Sequence, residues 1–265
     1  MEKMFAESSD MGMCSSGRNI DGNESEFDHQ EDATYEGEDI RTKLLYPMLF
    51  NGFNVPFNTV GGNHYPHIWN CIFKREFWDK AGLRFRAYIN FEDDLLVKTE
   101  ALSKANKVST ISDMGYLWRV NLKSETYAHH FVENIGQKQD MEYNDMVSSL
   151  YSFNPSQDFL NCFKQVKHCK QYLDAVHYLT SPEVKKTKEF IKKYYEDNIY
   201  NRDFAESIEG YKYLGKGRVK PKILLPMLAK HKTMRSYRME IFLDRVLLFT
   251  LHSSFLTRLE RRIKR

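Results

Sequence analysis

Near His130 the hydrophobic pattern of this chain changes period. Upstream, the short alternating runs Lys107–Ile111 and Met114–Arg119 read as two strands set among helical runs. Downstream, apolar residues recur at helical spacing over roughly Phe131–Tyr151, Ser156–Tyr178, Pro182–Tyr200 and Tyr237–Ile263. That order predicts an α/β part over residues 1–130 and a mostly α-helical region over 131–265, the latter ending in a basic amphipathic tail. No internal repeat is present.

Within the first part, residues 2–9 read as the end of an amphipathic helix and Met11 to Cys14 as a short buried strand. Ser15 to Asp39, rich in Gly, Asn, Asp and Glu, reads as a mobile loop with room for a short edge strand. Asp39 is placed to cap a helix running to about Asn51 and ended by Gly52. Asn54 to Tyr65 is a Gly/Asn/Pro loop. Lys74 to Ala81 suits a short helix stopped by Gly82, and Leu95 to Lys104 an amphipathic one. Further on, Pro182 fits a first helical turn after Ser181.

The net charge of +3 hides an asymmetry. From Asp21 to Asp39 there are nine acids and no Lys or Arg, whereas Lys212 to Arg265 carries fifteen Lys and Arg against three acids. A 42% hydrophobic content with 14% aromatics describes a folded protein. Cys14, Cys71, Cys162 and Cys169 form no CxxC pair and no zinc-ligand spacing, so reduced thiols in a cytoplasmic protein are expected. No signal peptide opens the chain, and the apolar run Val246 to Phe249 is too short to span a bilayer.

Three adjacent carboxylates, Glu92, Asp93 and Asp94, lie between Phe91 and Leu95. Like charges beside apolar residues suit a catalytic base or a cation site. The same residues suit the acidic first turn of a helix. Trp69, Asn70, Phe73, Lys74 and Arg75 precede them, then Gly82, Leu83 and Phe85. Tyr116, Trp118, Arg119 and Ser124 follow. In this order and spacing the chain resembles the second half of the catalytic domain of family 2 glycosyltransferases that build bacterial surface polysaccharides. The resemblance covers roughly residues 1–130. It implies an α/β, GT-A-like (Rossmann-like) domain of which this chain carries the acceptor-side half. The nucleotide-binding βαβ unit and its Asp-x-Asp have no counterpart here, so the chain reads as lacking the donor half.

The resemblance implies roles for individual residues. Asp93 takes the place of the general base, with Glu92 orienting the acceptor. Asp94 contributes to substrate binding or caps the following helix. Arg119 and Ser124 fall on a loop that reaches toward the donor diphosphate, where an Arg fork binds phosphate oxygens; an exposed strand-end Arg is the alternative. Lys74 and Arg75 suit the same electrostatic task or a plain surface helix, and Trp69 suits the core or a sugar-stacking platform. The divalent cation, Mg2+ or Mn2+, would be held mainly by the absent half, with His129 or His130 as a further ligand; His64 and His67 lack a third zinc ligand. The implied partners are a nucleotide-sugar donor and a glycan acceptor. The tail, with Phe242, Leu247, Phe249 and Phe255 among its cations, suits an anionic membrane surface at the inner face of the cell membrane or a core helix with a cationic outer face. No nucleic-acid signature is apparent. The rival to an enzyme is a non-catalytic glycan- or partner-binding module.

Overall fold

The computed structural model describes residues 6–20, 23–58, 65–88, 93–119, 130–215 and 219–246. It is α/β with a mixed sheet, and its described residues fall into two compact units. The first comprises those within Met1–Ala128 and Gln137–Lys167, the second those within His129–Gly136 and His168–Arg265.

The sheet belongs to the first unit and has five strands. These are β1 (Met11–Ile20), β2 (Asn23–Asp28), β3 (Ala33–Glu36), β4 (Cys71–Phe73) and β5 (Lys107–Arg119). One edge of β1 pairs in parallel with β5, which in turn pairs antiparallel with β3. The other edge of β1 is shared end to end. Met11–Met13 pairs antiparallel with β4, and Ser16–Ile20 pairs antiparallel with β2. A fork therefore opens between β2 and β4 at Cys14 and Ser15.

The Ser15–Asp39 stretch is not a loop. It holds the second half of β1, all of β2 and all of β3. Ser15, Asp28 and Gln30, polar groups that point inward here, are paired with one another or with Asn70, which is why a strand can carry them. Ser15 and Gln30 are buried, and the Gln30 amide donates to Ser15 Oγ at 2.8 Å. Nor are there two strands between Lys107 and Arg119. The break at Ser112 and Asp113 is an irregularity within one strand. Asp32 holds it by accepting from the Ser112 amide at 2.9 Å and its hydroxyl at 3.1 Å. An extra residue in a ladder leaves backbone groups unpaired, and a neighbouring carboxylate takes them up. Gly17 and Gly115 sit close by, where a Cβ would come within 2.6 Å of Met114 Sδ and Cys14 Sγ respectively.

Helix α1 is continuous but composite: Glu38–Ile40, a π-turn Arg41–Leu45, then Tyr46–Leu49. Gly37 at φ 52° starts it without a side-chain cap. Asp39 lies inside the first turn and pairs with Lys43 at 3.0 Å, so it is not the cap. Gly52, at φ 83°, follows the helix end as expected. Helix α2 (Arg75–Lys80) ends as its sequence predicts: Gly82 takes φ 66°, and the Leu83 amide reaches back to the Trp78 carbonyl at 3.1 Å. Helix α3 (Asp93–Lys104) is buried without interruption from Leu95 to Leu102, Lys98 and Glu100 included. It is a central helix rather than a one-faced one. Tyr46, Phe50, Phe57, Phe153, Phe159 and Phe163 cluster in the same unit.

Helix α4 (Ile135–Leu150) and α5 (Gln157–Leu179) follow. The start expected at Phe131 falls instead at Ile135. The next helix, α6 (Lys188–Tyr195), begins after Thr187, whose hydroxyl accepts from the Phe190 amide at 3.1 Å. Pro182 is thus not a first-turn proline. Helix α6 continues through a π-turn, Glu196–Tyr200. Beyond it come α7 (Phe204–Ser207), a 3-10 turn (Ile208–Tyr213), α8 (Val219–Ala229) and α9 (residues 233–246). Leu224, Leu225 and Leu228 of α8 are fully buried, so that part of the basic segment is core. On α9 the arrangement is inverted. Ser236 and Glu240 face inward at 0% exposure, while Phe242 is 59% exposed. Leu247, Phe249 and Phe255 lie outside the described residues. Among the described residues, no helix is long and apolar enough to cross a membrane.

Candidate functional site

The first turn of α3 presents Asp93 and Asp94, both half-buried. Asp94 Oδ2 accepts from the Ile68 amide at 3.2 Å, and Asp93 Oδ1 accepts from the Asp94 amide at 3.1 Å. Burial and the neighbouring Asp93 push the Asp94 carboxyl up, partly offset by the Ile68 bond. One turn along α3, the Lys98 ammonium, 1% exposed, donates to the Tyr65 carbonyl at 2.9 Å and the His67 carbonyl at 3.0 Å. Three bonds thus clamp residues 65–68 to the start of α3.

The clamped segment alternates aromatic residues at 65, 67 and 69, which places them on one side of an extended chain. Their rings stack in series. Tyr65 and His67 are 5.7 Å apart at 7°, His67 and Trp69 4.7 Å at 16°, and Trp69 and Tyr116 of β5 4.3 Å at 28°. Trp69 is half-buried in this ladder rather than core, and Tyr116 is 37% exposed. Burial, aided by Lys98, lowers His67 to about 4, which keeps its ring neutral and able to stack.

Beneath the ladder, Asn70 closes the fork in the sheet. Its carbonyl accepts from the Cys14 amide at 3.0 Å, and its Nδ2 donates to the Cys14 carbonyl at 3.1 Å and to Asp28 Oδ2 at 3.2 Å. Gln30 Nε2 donates to Asp28 Oδ1 at 2.9 Å. Asp28 is 1% exposed, and burial pushes its carboxyl up despite Lys98, Gln30 and Asn70. With both oxygens occupied by amides, Asp28 organises the fork and is not a free base. Cys14 and Cys71 border the same place as free thiols, both pushed up by burial. No local pattern marks Asp28 and Gln30, which lie in a stretch that reads as a polar loop. Lys98 did leave a trace, as a lone cation within Leu95–Leu102. A second group escaped notice: Arg86 pairs with Glu100 and with Asp145, at 3.1 Å to the latter, and Asp145 also accepts from Tyr88 at 2.7 Å.

The structure joins Asp93, Asp94 and Trp69, through Ile68. It does not join the other expected residues to them. Lys74 precedes α2, its amide bound to the Asp10 carbonyl at 2.9 Å, and Arg75 is exposed and 3.7 Å from Asp79. Arg119 ends β5 opposite Asn19, exposed. Regular alternation from Tyr116 onward puts it on the other face of the strand from Tyr116. His130 lies in the second unit, with Nδ1 2.8 Å from Glu183. Glu92, Ser124, His64 and His129 lie outside the described residues.

Of the residues that the resemblance offers to the divalent cation, His129 lies outside the described residues and His130 stands 2.8 Å from Glu183. Among the described residues, the group of three His, Cys, Asp or Glu ligand atoms close enough to share an ion is His177, Glu240 and Asp244, in the second unit. Neither Asp93, Asp94 nor His130 belongs to it. No family model matches this chain, and no curated protein matches it.

Proposed function

We propose that this chain carries the acceptor side of a GT-A-like, family 2-type glycosyltransferase. It would transfer a sugar from a nucleotide-sugar to a surface-polysaccharide or lipid-linked glycan. The observation that supports this reading is the clamp between the start of α3 and the aromatic ladder. Through Asp94 it ties the first turn of α3, which also carries the half-buried Asp93, to Ile68, the chain neighbour of Trp69; Trp69 stacks on Tyr116, and such flat apolar rings suit the C–H face of a pyranose. In the reaction, the acceptor oxygen forms a bond to the anomeric carbon as the bond to the nucleoside diphosphate breaks. The diphosphate leaves with the electron pair, and Asp93 takes the acceptor proton. Asp94 and Lys98 hold α3 and the ladder in register, and no step is assigned to a metal ion. The exposed Phe242 and Val246, with exposed Arg238 and Arg245 on the same helix, support a peripheral place on an anionic membrane where a lipid-linked acceptor lies.

A second reading, a glycan-binding module without turnover, is favoured by the place of Asp93 in the first turn of α3, where a carboxylate complements the helix dipole. One pair of measurements separates the two. Labelled uridine, thymidine and guanosine diphosphate sugars are offered with polyprenyl-linked glycans, and acceptor binding is followed by saturation-transfer NMR. The enzyme reading expects transfer that falls by about 10²-fold or more in Asp93→Asn, with acceptor binding retained. Undiminished transfer in that variant removes Asp93 as base. Glycan binding without transfer selects the module, and absence of both rejects the two readings together.

A further inference from the structure

The second unit contains a cluster that the reading above leaves unused. Glu240 and Asp244 stand four residues apart on α9, hence on one face, and His177 comes from α5. His177 Nδ1 lies 3.0 Å from Glu240 Oε1 and 3.5 Å from Asp244 Oδ2. Ligand atoms held about 2.0 Å from a tetrahedral ion stand about 3.3 Å apart, so these separations already match a coordination edge. The Lys220 ammonium, from α8, lies 2.5 Å from Glu240 and 2.9 Å from Asp244, on the two carboxylates together.

Two features distinguish this cluster from an ordinary ion-pair network. Glu240 is 0% exposed, yet its Oε2 has no hydrogen-bond partner among the described residues, a costly state for a buried carboxylate oxygen. The one group that could leave is also the one with a way out: the Lys220 side chain is 33% exposed on a flexible stem. An entering ion would engage the orphaned oxygen while Lys220 swings to solvent.

We propose that His177, Glu240 and Asp244 form a site for one divalent transition-metal ion of the zinc type, with the Lys220 ammonium holding the carboxylates together when the ion is absent. An imidazole with two carboxylates suits zinc. Calcium needs six to eight oxygens and magnesium keeps most of its water, so neither is matched. Three protein ligands leave a fourth position for water.

The test is calorimetry on the full chain after dialysis against a chelator, titrated with Zn2+ and, as controls, Mg2+ and Ca2+. One equivalent of zinc should bind, with neither control doing so. His177→Asn and Asp244→Asn should each weaken binding by at least about tenfold, with circular dichroism confirming that each variant is folded. Lys220→Met should tighten it, and Co2+ should give the intense visible bands of a tetrahedral site. Absence of zinc binding by the wild-type chain overturns the proposal. Zinc binding of equal strength in both ligand variants also overturns it, by placing the ion on other histidines.

Discussion

The fork in the sheet and the helical cluster around Glu240 bury charge by opposite means. At the fork, formal charges are kept apart and served by dipoles. Asp28 receives the amides of Asn70 and Gln30, Asp94 receives a backbone N–H, and Lys98 donates to two carbonyls. In the helical cluster, cations and carboxylates touch directly. The carboxyls of Asp28 and Asp94 are accordingly raised by burial, while Asp244 is driven down to about 2 by His177 and Lys220, and His177 up to about 9 by Asp244 and Glu240, each against the burial that opposes it. Dipoles leave a site able to take up a proton. Direct ion contacts resist a change of charge.

The largest expected effect that sharpens this comparison is catalytic. Asp93→Asn should cost about 10²-fold or more in turnover, whereas the same change at the amide-saturated Asp28 should act mainly through stability. Radiolabel transfer, with urea melts of both variants, tells them apart; equal losses of turnover would erase the distinction.

Next comes Lys98→Met, which removes the buried cation's bonds to the Tyr65 and His67 carbonyls. A loss of about 3 kcal/mol is expected from the urea midpoint. An unchanged midpoint would show that water replaces the ammonium there.

The pH response should differ in sign between the regions. His177, raised in the folded state, contributes stability that is full below its ordinary value of 6.5 and is lost as pH rises through about 9. Asp244, lowered from 3.8, contributes stability present above that value and lost as pH falls toward about 2. Asp28 behaves the other way from Asp244. Its carboxyl is raised, so keeping it ionised costs stability at neutral pH, and that cost is relieved on acidification. In chelating buffer, the melting temperature should therefore drop between pH 7 and 10, and His177→Asn should flatten that drop. NMR titration of His177 provides the direct check, and an ordinary midpoint there would contradict the ion-contact account.

The smallest effect expected is on membrane association. Phe242→Ser should lower binding to anionic vesicles several-fold while shifting stability by no more than about 0.5 kcal/mol, because the ring is exposed. Deleting the helix is a poorer test, since Ser236 and Glu240 are buried. Equal sedimentation of wild type and variant with anionic vesicles would take Phe242 out of the docking surface.

How much of this was legible beforehand depended on whether local chemistry or distant partners decided each element. Helix α2 and its glycine stop were readable because Gly82 alone supplies the left-handed turn. Helix α3 and the place of Asp93 and Asp94 in its first turn were also readable, as their signals lie within a dozen residues. The β1–β2 hairpin was not. Its strands look like a loop until Asn70, far along the chain, joins Gln30 in supplying the amides that let Asp28 be buried. Helix α9 left two readings open for Phe242, a membrane-facing ring or a core one, and distant partners separate them: Lys220 and His177 meet Glu240 and Asp244 on one face, and the ring is exposed. Of the site, the Asp94–Trp69 neighbourhood was foreseeable. The clamp through Lys98 was not, because its partners are backbone carbonyls that no side-chain pattern records.

Among the described residues, the end-to-end sharing of β1 leaves β2 as a terminal strand of the sheet, and Glu24 and Glu26 on it are exposed. An open strand edge invites another chain to add to it, and like charges arrayed along that edge repel the newcomer. Glu24 and Glu26 thus act as a guard against self-association. Replacing these two with threonines, which favour strands and carry no charge, should leave the fold intact while making the protein prone to aggregate as its concentration rises.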